Sequence, residues 1–399
     1  MLKISDRAKN VSPSLTLAIS TQANKMKSEG VDVVSFAVGE PDFNTPDYII
    51  DAAKVALDKG MTKYTPVPGT KEFREQICKK FKDDNGLDYV ADQIIVSTGG
   101  KQSLYNVFQT IVQEGDEVIL LAPYWLSYPE MVKFCGGKVV SVDLADDDFN
   151  LNIEKIEKAI TDKTRAILIN TPNNPTGVVY DKDQLSKLAE MLKKYPDIWV
   201  ISDEIYEKLV YDGKQHFSIA AYDQDMYNRT FVVNGMSKSY AMTGWRIGYV
   251  ACPTVQIAKA LSGLQSHQTS NTNSIAQYAA CAALKGGKEF IDDMQKTFDG
   301  RRKLIVDLFK NAKDVSVVTP SGAFYLMLNV SKLFGRSYKG NKISSAFDFA
   351  DLLIKYAYVA TVPCEGFGAP LFVRLSYATS EAQIKKGVER IIDFINQID

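Results

Sequence analysis

Short apolar runs alternate with amphipathic stretches along the first two thirds of the chain. The apolar runs are "QIIVST", "EVILLA", "RAILIN", "IWVISD" and "TFVVNG"; helical spacing follows in stretches such as "KQSLYNVFQTIV", "WLSYPEMVKFC" and "DQLSKLAEMLKKY". This alternation is typical of a mainly parallel sheet with helices on both faces. We therefore predict an α/β fold whose ligand lies at the carboxyl ends of the strands.

The pattern changes after about residue 250. Three long helical stretches, "PTVQIAKALSGLQ", "NSIAQYAACAALKG" and "KEFIDDMQKTFDGRRKLIVDLFKNA", precede the apolar runs "VSVVTPSGAFYLMLNV", "VATVP" and "LFVRLSYAT". The last third is thus predicted to form a separate α+β unit. A chain of 399 residues with 45% hydrophobic content is long enough for one large core and a smaller one.

Charge and cysteine usage narrow the class of partner. Lys and Arg number 47 against 48 Asp and Glu, so no global attraction to nucleic acid or to an anionic membrane is expected. The five cysteines are scattered and form no CxxC pair, which argues against a disulfide framework or a zinc site and fits the cytoplasm. Neither a signal-peptide core nor a run of roughly 18 apolar residues is present, so we expect a soluble protein acting on small molecules.

Lys238 is the most unusual residue of the sequence. It lies with Arg246 in the nearly uncharged stretch "TFVVNGMSKSYAMTGWRIGYVAC". Burial of an unpaired ammonium group is costly or removes its proton. A desolvated lysine is a good nucleophile toward carbonyl carbons, and its Schiff base is the usual anchor of pyridoxal phosphate. The alternative is a lysine whose stem is buried while its head group reaches water.

That cofactor requires a carboxylate for its pyridine nitrogen and a cradle for its phosphate. Asp203 ends the apolar run of "IWVISDEIYEKL" and offers the carboxylate, although a helix N-cap would explain it equally well. Gly99 and Gly100 in "VSTGGKQSLYN" join a strand to a helix, which is an anion site or a plain turn. The pair matches neither GxGxxG nor GxxxxGK[ST], so dinucleotide and P-loop binding are disfavoured.

A flat group over the ring and a cation for the substrate carboxylate are the remaining requirements. Trp125 in "APYWLSYPE" either stacks on a ring or fills core. Asn174 in "NTPNNPTGVV" either donates to a ring oxygen or belongs to a turn, together with Asn173. Arg374 in the apolar run "FVRLSYAT" needs an anion, either a substrate carboxylate or an internal Asp or Glu.

Taken together, these motifs resemble one family. "SKSYAMTGWRIGY" closely resembles the cofactor-lysine signature of the fold-type I, class I aminotransferases, and "GEPDFNTP", "KYTPVPGTKEFRE", "PNNPTG", "SDEIYE", "PSGAFY" and "VRLSYAT" resemble its other blocks. The resemblance covers essentially the whole chain. It implies a large domain over 46–297 with a mainly parallel seven-stranded sheet. A smaller α+β domain with an N-terminal arm would comprise 1–45 and 298–399.

The resemblance also implies roles for individual residues. Lys238 would carry pyridoxal 5'-phosphate and act as the base, and Trp125 would stack on the ring. Asp203 would pair with the pyridine nitrogen, while Asn174 and Tyr206 would bind the ring oxygen. The phosphate would be held by Gly99, Gly100, Lys101, Ser237 and Arg246, and by Tyr64 of a neighbouring subunit, which makes a homodimer with shared active sites.

The implied reaction is a ping-pong transamination between L-aspartate and 2-oxoglutarate. Arg374 would bind the substrate α-carboxylate near the backbone of Gly39. The sequence resembles the bacterial subgroup in which the lysine of "GGKQ", here Lys101, binds the distal carboxylate, and Thr16 of the arm would add a hydroxyl. The alternative places Lys101 in solvent. Relatives that aminate prephenate to arogenate carry a lysine before the arm's "PS", where this chain has Ser12, so prephenate is expected to be secondary.

Other functions on the same scaffold stay open at this point. They are transamination of aromatic amino acids or alanine, another pyridoxal phosphate reaction such as β-elimination or decarboxylation, and a non-catalytic regulator built on an aminotransferase-like domain. No metal is expected, because His216 and His267 are the two histidines of the chain and neither shows a ligand-like spacing.

Overall fold

The structure is a computed structural model that describes residues 3–9, 11 and 15–399. The helices in these residues are α1 Asp6–Lys9, α2 Leu15–Ser28, α3 Asp47–Asp58, α4 Lys71–Asn85, α5 Gly100–Ile111, α6 Ser127–Phe134, α7 Ile153–Lys158, α8 Lys182–Leu192, α9 Gln224–Arg229, α10 Val255–Gln268, α11 Ser274–Lys285, α12 Glu289–Phe309, α13 Ala346–Ala357 and α14 Glu381–Ile395. The strands are β1 Val34–Ser35, β2 Ile94–Ser97, β3 Glu117–Ala122, β4 Lys138–Asp143, β5 Thr164–Asn170, β6 Trp199–Asp203, β7 Thr230–Gly235, β8 Gly248–Ala251, β9 Ser316–Val318, β10 Tyr325–Asn329, β11 Ser337–Tyr338, β12 Asn341–Lys342, β13 Val359–Ala360, β14 Val362–Pro363 and β15 Phe372–Ser376.

Several helices begin where the local sequence supplies a cap. Thr70 accepts the backbone N–H of Phe73 at the start of α4. Asp181 and Gln184 form a capping box at the start of α8. These side chains satisfy N–H groups that have no partner within the helix, so the sequence itself defines where these helices start.

A seven-stranded sheet forms the centre of the larger unit. Its order is β2-β8-β7-β6-β5-β3-β4, and every neighbouring pair is parallel except those that involve β8. The strand β7 is buried along its whole length, as expected for a strand covered on both faces. The predicted fold class is therefore confirmed, and β4 and β8 are strands that the pattern of apolar runs did not predict.

The direction of the strands brings the loops of interest together. Strands β3, β5, β6 and β7 are parallel, and β2 runs the same way because it and β7 are both antiparallel to β8. Their carboxyl ends therefore lie at one edge of the sheet, where Asn170 pairs in register with Asp203. The segments that follow these strands carry most of the predicted site residues.

The last third of the chain builds a second core. Strands β14, β15, β10 and β9 form a four-stranded antiparallel sheet. Phe298, Leu328, Phe349 and Ile391 belong to one buried apolar cluster that joins this sheet to α12, α13 and α14. Strand β1 pairs with β13, so a segment from near the start of the chain joins this α+β unit. None of the helices in the described residues combines the length and the apolar character needed to cross a membrane.

Candidate active site

A cavity of about 530 Å³ opens at the carboxyl edge of the seven-stranded sheet. Its walls come from the ends of these strands, from helices α2 and α5, and from β15 of the second sheet. The predicted residues that line it are Thr16, Gly39, Gly100, Lys101, Trp125, Asn174, Asp203, Tyr206, Ser237, Lys238, Arg246 and Arg374. Residues more than 350 positions apart in the sequence thus meet in one place.

Lys238 points into this cavity. Its Nζ donates a hydrogen bond to the carbonyl oxygen of Gly39 at 2.6 Å. Desolvation lowers the pKa of Lys238 to about 8, and the nearby carboxylate of Glu40 opposes this shift. Within the described part of the chain, no carboxylate lies within ion-pair distance of the ammonium group. The side chain therefore has the lowered pKa expected of a nucleophilic amine.

Asp203 is buried at the end of β6, and its carboxylate faces the same cavity. The Tyr128 hydroxyl donates to its Oδ2 at 2.7 Å, and the N–H of Ile205 donates to its Oδ1 at 3.3 Å. Desolvation raises the pKa of Asp203 to about 6, although the bond from Tyr128 opposes the rise. A turn follows Asp203, so the interpretation of this residue as a helix N-cap is wrong.

Tyr128 is a site residue that sequence reasoning missed. It lies three residues after Trp125, in the first turn of α6, and its ring meets the indole edge to face at 5.4 Å. Trp125 precedes α6, so no helical spacing in "WLSY" indicated that Tyr128 contacts Asp203.

Several hydrogen-bond donors gather where Gly99 leads into α5. Gly99 has φ +83°, and a Cβ there would come within 2.4 Å of the Arg246 guanidinium, so both the backbone and the packing require glycine. Arg246 donates from Nη1 to the carbonyl oxygen of Thr243 at 2.8 Å. The start of α5, the Ser237 hydroxyl and this guanidinium therefore present N–H and O–H donors to one end of the cavity.

Arg374 lies at another wall of the cavity. It is 2% exposed, and it donates to Asn174 Oδ1 from Nη1 and to the carbonyl oxygen of Ala37 from Nη2, both at 3.0 Å. Its guanidinium stacks 4.5 Å from the centre of the Tyr325 ring. Among the described residues no Asp or Glu forms an ion pair with it, so the alternative of an internal carboxylate partner is wrong.

Tyr206 and Tyr325 share a buried hydrogen bond between their hydroxyl groups at 2.8 Å. Tyr325 lines the cavity with Tyr206. The sequence motif "PSGAFY" does not single out Tyr325, because an aromatic residue in an apolar run is more often part of the core.

Lys101 occupies the mouth of the cavity beside Trp125. Its Nζ donates to Ser127 Oγ at 3.2 Å and lies 4.7 Å from the centre of the indole ring. Lys101 is exposed in the single chain, yet desolvation by nearby atoms and the charge of Arg246 lower its pKa. Thr16 faces the same space, and its buried hydroxyl has no hydrogen-bond partner among the described residues. Ser12 lies outside those residues.

Two predicted positions lie apart from the cavity wall. Gly99 packs against the Arg246 guanidinium and does not line the cavity itself. Tyr64 is 92% exposed and does not line the cavity of its own chain. Its predicted contact with a phosphate group would therefore have to come from another subunit.

The sequence spacing of His216 gave no indication of a cluster of possible metal ligands, but the structure shows one. In the structure it lies beside Glu204 and Glu207, and possible ligand atoms of the three residues are within 4.8 Å of one another. His216 lies more than eight residues after the two glutamates in the sequence, and the fold brings the three side chains together.

The donor set of the cavity fits pyridoxal 5'-phosphate. Four cations, Lys101, Lys238, Arg246 and Arg374, line one space, and none of them has an ion-pair partner in the described part of the chain. Asp203 adds a buried carboxylate whose raised pKa marks it as incompletely stabilised. A ligand with a phosphate, a carbonyl group and a basic ring nitrogen would satisfy Arg246, Lys238 and Asp203, and would leave Arg374 and Lys101 for other anionic groups.

Comparisons with known proteins agree with this chemistry. The chain is 45% identical to an aspartate aminotransferase of Bacillus subtilis, over 99% of this chain and 100% of that protein. It is 43% identical to an aspartate/prephenate aminotransferase of Cereibacter sphaeroides, over 99% of each. Among solved structures, the aspartate aminotransferase of Rhizobium meliloti superposes with a TM-score of 0.96 at 39% identity, covering 100% of both chains.

A solved aspartate aminotransferase of Thermus thermophilus with maleate superposes with a TM-score of 0.92. It is 40% identical, over 99% of this chain and 100% of that one. The family model described as "Aminotransferase class I and II" matches residues 31–391. The chain therefore belongs to the class I and II aminotransferases, enzymes that depend on pyridoxal 5'-phosphate.

Proposed function

We propose that the enzyme is an aspartate aminotransferase, which transfers the amino group of L-aspartate to 2-oxoglutarate and yields oxaloacetate and L-glutamate. One observation carries the proposal: the cavity holds two cations without ion-pair partners, Arg374 and Lys101, in addition to the lysine and arginine that suit the cofactor. Two carboxylate-binding cations match a dicarboxylic substrate. The names of the relatives support the same substrate.

The residues that would hold the cofactor lie around Lys238. Lys238 is placed to hold its carbonyl carbon, Trp125 to cover its ring, and Asn174 and Tyr206 to bind its ring oxygen. The phosphate would lie between Arg246, Ser237 and the start of α5, with the backbone N–H groups of Gly100 and Lys101. When bound, the cofactor supplies an electron sink for the bonds to the substrate Cα.

Asp203 keeps negative charge beside the ring nitrogen. Its carboxylate is buried, so its charge acts through little solvent, and the Tyr128 hydroxyl holds its orientation at 2.7 Å. A positively charged partner would lower the pKa of Asp203 from about 6. The pair would therefore be stable in its charged form at neutral pH.

Lys238 is also the group that moves the proton. Its amine, with a pKa of about 8, is partly neutral near neutral pH, and its Nζ can accept the proton that leaves the substrate Cα. The hydrogen bond to the Gly39 carbonyl oxygen orients the Nζ toward the cavity. The same residue thus serves as nucleophile and as base.

Arg374 and Lys101 position the substrate between them. The planar Arg374 guanidinium suits the α-carboxylate, next to the Gly39 backbone, because it offers a fork of N–H donors. Lys101, with Thr16 beside it, suits the distal carboxylate. The Thermus thermophilus relative was solved with maleate, a dicarboxylate, which supports this arrangement. A lysine tolerates carboxylates at different distances, so prephenate is proposed as a secondary substrate.

We also propose the larger organisation. The cofactor domain would span 46–297, and the smaller domain 1–45 and 298–399, which matches the separate positions of the two main sheets along the chain. The enzyme would be a homodimer in the cytoplasm, with Tyr64 of each subunit reaching the other's phosphate. The 92% exposure of Tyr64 in the single chain supports such a contact.

A screen of amino donors with 2-oxoglutarate as acceptor tests the proposed substrate. Aspartate should give the highest kcat/KM, ahead of alanine, phenylalanine and tyrosine, because only a dicarboxylic donor uses both Arg374 and Lys101. Formation of L-glutamate, the product common to every donor, is followed by a coupled dehydrogenase assay. A higher kcat/KM for an aromatic donor or alanine would show that the enzyme is a different aminotransferase.

A further inference from the structure

The end of β6 and the turn that follows it carry side chains that face the cavity and side chains that face the protein interior. Asp203 and Tyr206 face the cavity. Glu204 and Glu207, which alternate with them, have side chains that are 0% and 4% exposed and do not line it. The segment from Asp203 to Glu207 therefore presents Asp203, Ile205 and Tyr206 to the cavity and fixes Glu204 and Glu207 within the protein.

The carboxylate of Glu204 accepts hydrogen bonds from three side chains of the protein. Its Oε1 accepts hydrogen bonds from the hydroxyl groups of Ser202 at 2.8 Å and Ser218 at 2.6 Å. Its Oε2 accepts from Nε2 of His216 at 2.9 Å. A buried carboxylate with three donors is held in one orientation, because any rotation would leave charge and donors unpaired.

Glu207 connects the same turn to α4. It pairs with the ammonium group of Lys80 and accepts a hydrogen bond from Asn85 Nδ2 at 3.1 Å. Burial alone would raise the pKa of Glu207, but the charges of Lys80, Lys208 and His216 outweigh it and lower the pKa to about 2. Glu207 is therefore a permanently charged member of a buried ion pair.

A metal ion is a poor occupant for this group of residues. The oxygens of Glu204 already accept from two serines and a histidine, and Lys80 supplies the positive charge at Glu207. A divalent cation would have to displace these donors. The arrangement is thus complete without one.

We propose that Glu204, Glu207, His216 and Lys80, which we call the anchor cluster, position Asp203 and Tyr206 against the cofactor. The inference rests on the proposed function. Asp203 ends β6, but no helix or strand holds residues 204–208, so the orientation of Tyr206 and of the backbone that follows Asp203 depends on the side chains that anchor this turn. Displacement of a reacting group by about 1 Å costs about a hundredfold in rate, so such support matters for turnover.

The first test replaces Glu204 by glutamine in the holoenzyme. Glu204→Gln keeps the size of the side chain but sets an N–H group against the donors of Ser202, Ser218 or His216. We expect kcat to fall about tenfold or more while KM for aspartate changes less than about twofold, because Arg374 and Lys101 are untouched. The pH midpoint of the bound cofactor's visible absorption should shift, since Asp203 no longer sits in its original position.

Arg302→Met is the matched control for general loss of stability. Arg302 is 3% exposed, pairs with Asp212 and Asp299, and does not line the cavity. This variant should lower Tm and leave the absorption midpoint at the wild-type value. If both variants lowered Tm and neither moved the midpoint, the anchor cluster would be a purely structural ion-pair network and the proposal would be wrong.

A pair of variants at His216 keeps the test decisive if Glu204→Gln folds poorly. His216→Gln retains an N–H donor at a similar reach, whereas His216→Leu removes it. We expect His216→Gln to keep kcat within about twofold of the wild type and to leave the absorption midpoint at the wild-type value. His216→Leu should lower kcat about fivefold to tenfold. Equal behaviour of the two variants would overturn the role of the Glu204–His216 hydrogen bond.

Two further results distinguish a failure of the anchor-cluster proposal from a failure of the proposed function. If Lys238→Ala keeps its cofactor band and its activity, the proposed function fails, and the anchor proposal with it. If Lys238→Ala loses both while Glu204→Gln and His216→Leu match the wild type, only the anchor proposal fails. Elemental analysis of the purified holoenzyme adds one more outcome: a stoichiometric divalent cation that is lost in Glu204→Gln would replace the anchor by a metal site.

Discussion

Asp203 and Glu207 lie four residues apart on one turn, both are buried, and their pKa values move in opposite directions. Desolvation raises the pKa of Asp203 to about 6, whereas the pKa of Glu207 falls to about 2 because the charges around it outweigh its burial. Glu207 pairs with Lys80, but among the described residues the donors to Asp203 are neutral, namely the Tyr128 hydroxyl and a backbone N–H. The protein completes the environment of one carboxylate and leaves the other to be completed by a ligand.

The two most buried arginines show the same contrast. Arg302 is 3% exposed and pairs with Asp212 and Asp299. Arg374 is 2% exposed, and its acceptors in the part of the chain that the structure describes are neutral, namely Asn174 and a backbone carbonyl. A buried charge paired within the chain supports structure, and one left without a counter-charge indicates where a charged ligand binds.

The strongest test of this contrast removes the unpaired lysine. Lys238→Ala should lower turnover at least about a thousandfold, because nucleophile and proton carrier are lost together. Turnover is measured with aspartate and 2-oxoglutarate at saturating cofactor. A variant that retained about a tenth of wild-type turnover would show that another group does this work.

The second test changes the charge of Asp203 and keeps its shape. Asp203→Asn should retain the cofactor but lower turnover by about a hundredfold to a thousandfold, since the ring nitrogen loses its stabilising charge. Tyr128→Phe is the matched comparison, because it removes a hydrogen bond to the same carboxylate and leaves the charge. It should cost only about tenfold. Unchanged turnover in Asp203→Asn would exclude this residue from the site.

The third test concerns the unpaired cation at the mouth of the cavity. Lys101→Ala should cut kcat/KM for aspartate by about 2 to 4 kcal/mol, because a distal carboxylate would remain unpaired. Phenylalanine and alanine as donors should be spared, since neither has that carboxylate. Equal losses for aspartate and phenylalanine would make Lys101 a phosphate-binding or structural residue, and the dicarboxylate specificity would then be rejected.

The smallest expected effect is a pH dependence in the protein stripped of cofactor. Only the neutral amine attacks a carbonyl carbon, and the pKa of Lys238 is lowered to about 8. The rate of cofactor uptake should therefore rise about tenfold between pH 7 and pH 9 and level off above that range. Stopped-flow absorption measures the rate. A rise that continued to pH 10 or higher would indicate a lysine with an ordinary pKa.

Much of the fold followed from the order of apolar runs. β2, β3, β5, β6 and β7 were visible as short apolar segments, and their common direction was predictable because helices alternate with them. β4 and β8 were missed. β4 is only partly buried and mixes polar with apolar residues, and β8 begins within the cofactor-lysine signature, so neither strand shows as a separate apolar run.

The candidate site was predictable where a residue was chemically out of place. Lys238 and Arg374 are charges in apolar runs, so their sequence context alone raised the question of a ligand. Tyr128 and His216 gave no such signal, since a tyrosine in an amphipathic helix and a lone histidine fit many environments. Their roles depend on contacts with Asp203 and Glu204, more than ten residues away along the chain, which only the folded structure shows.

Reductive trapping of the holoenzyme identifies the lysine that carries the cofactor. Borohydride should bleach the visible band of the bound cofactor and fix it to one lysine, and peptide mapping by mass spectrometry then identifies that lysine. We expect a single labelled peptide containing Lys238, with none of the label on Lys101 at the mouth of the same cavity. A label on Lys101 or on any other lysine, with Lys238 unmodified, would contradict this expectation.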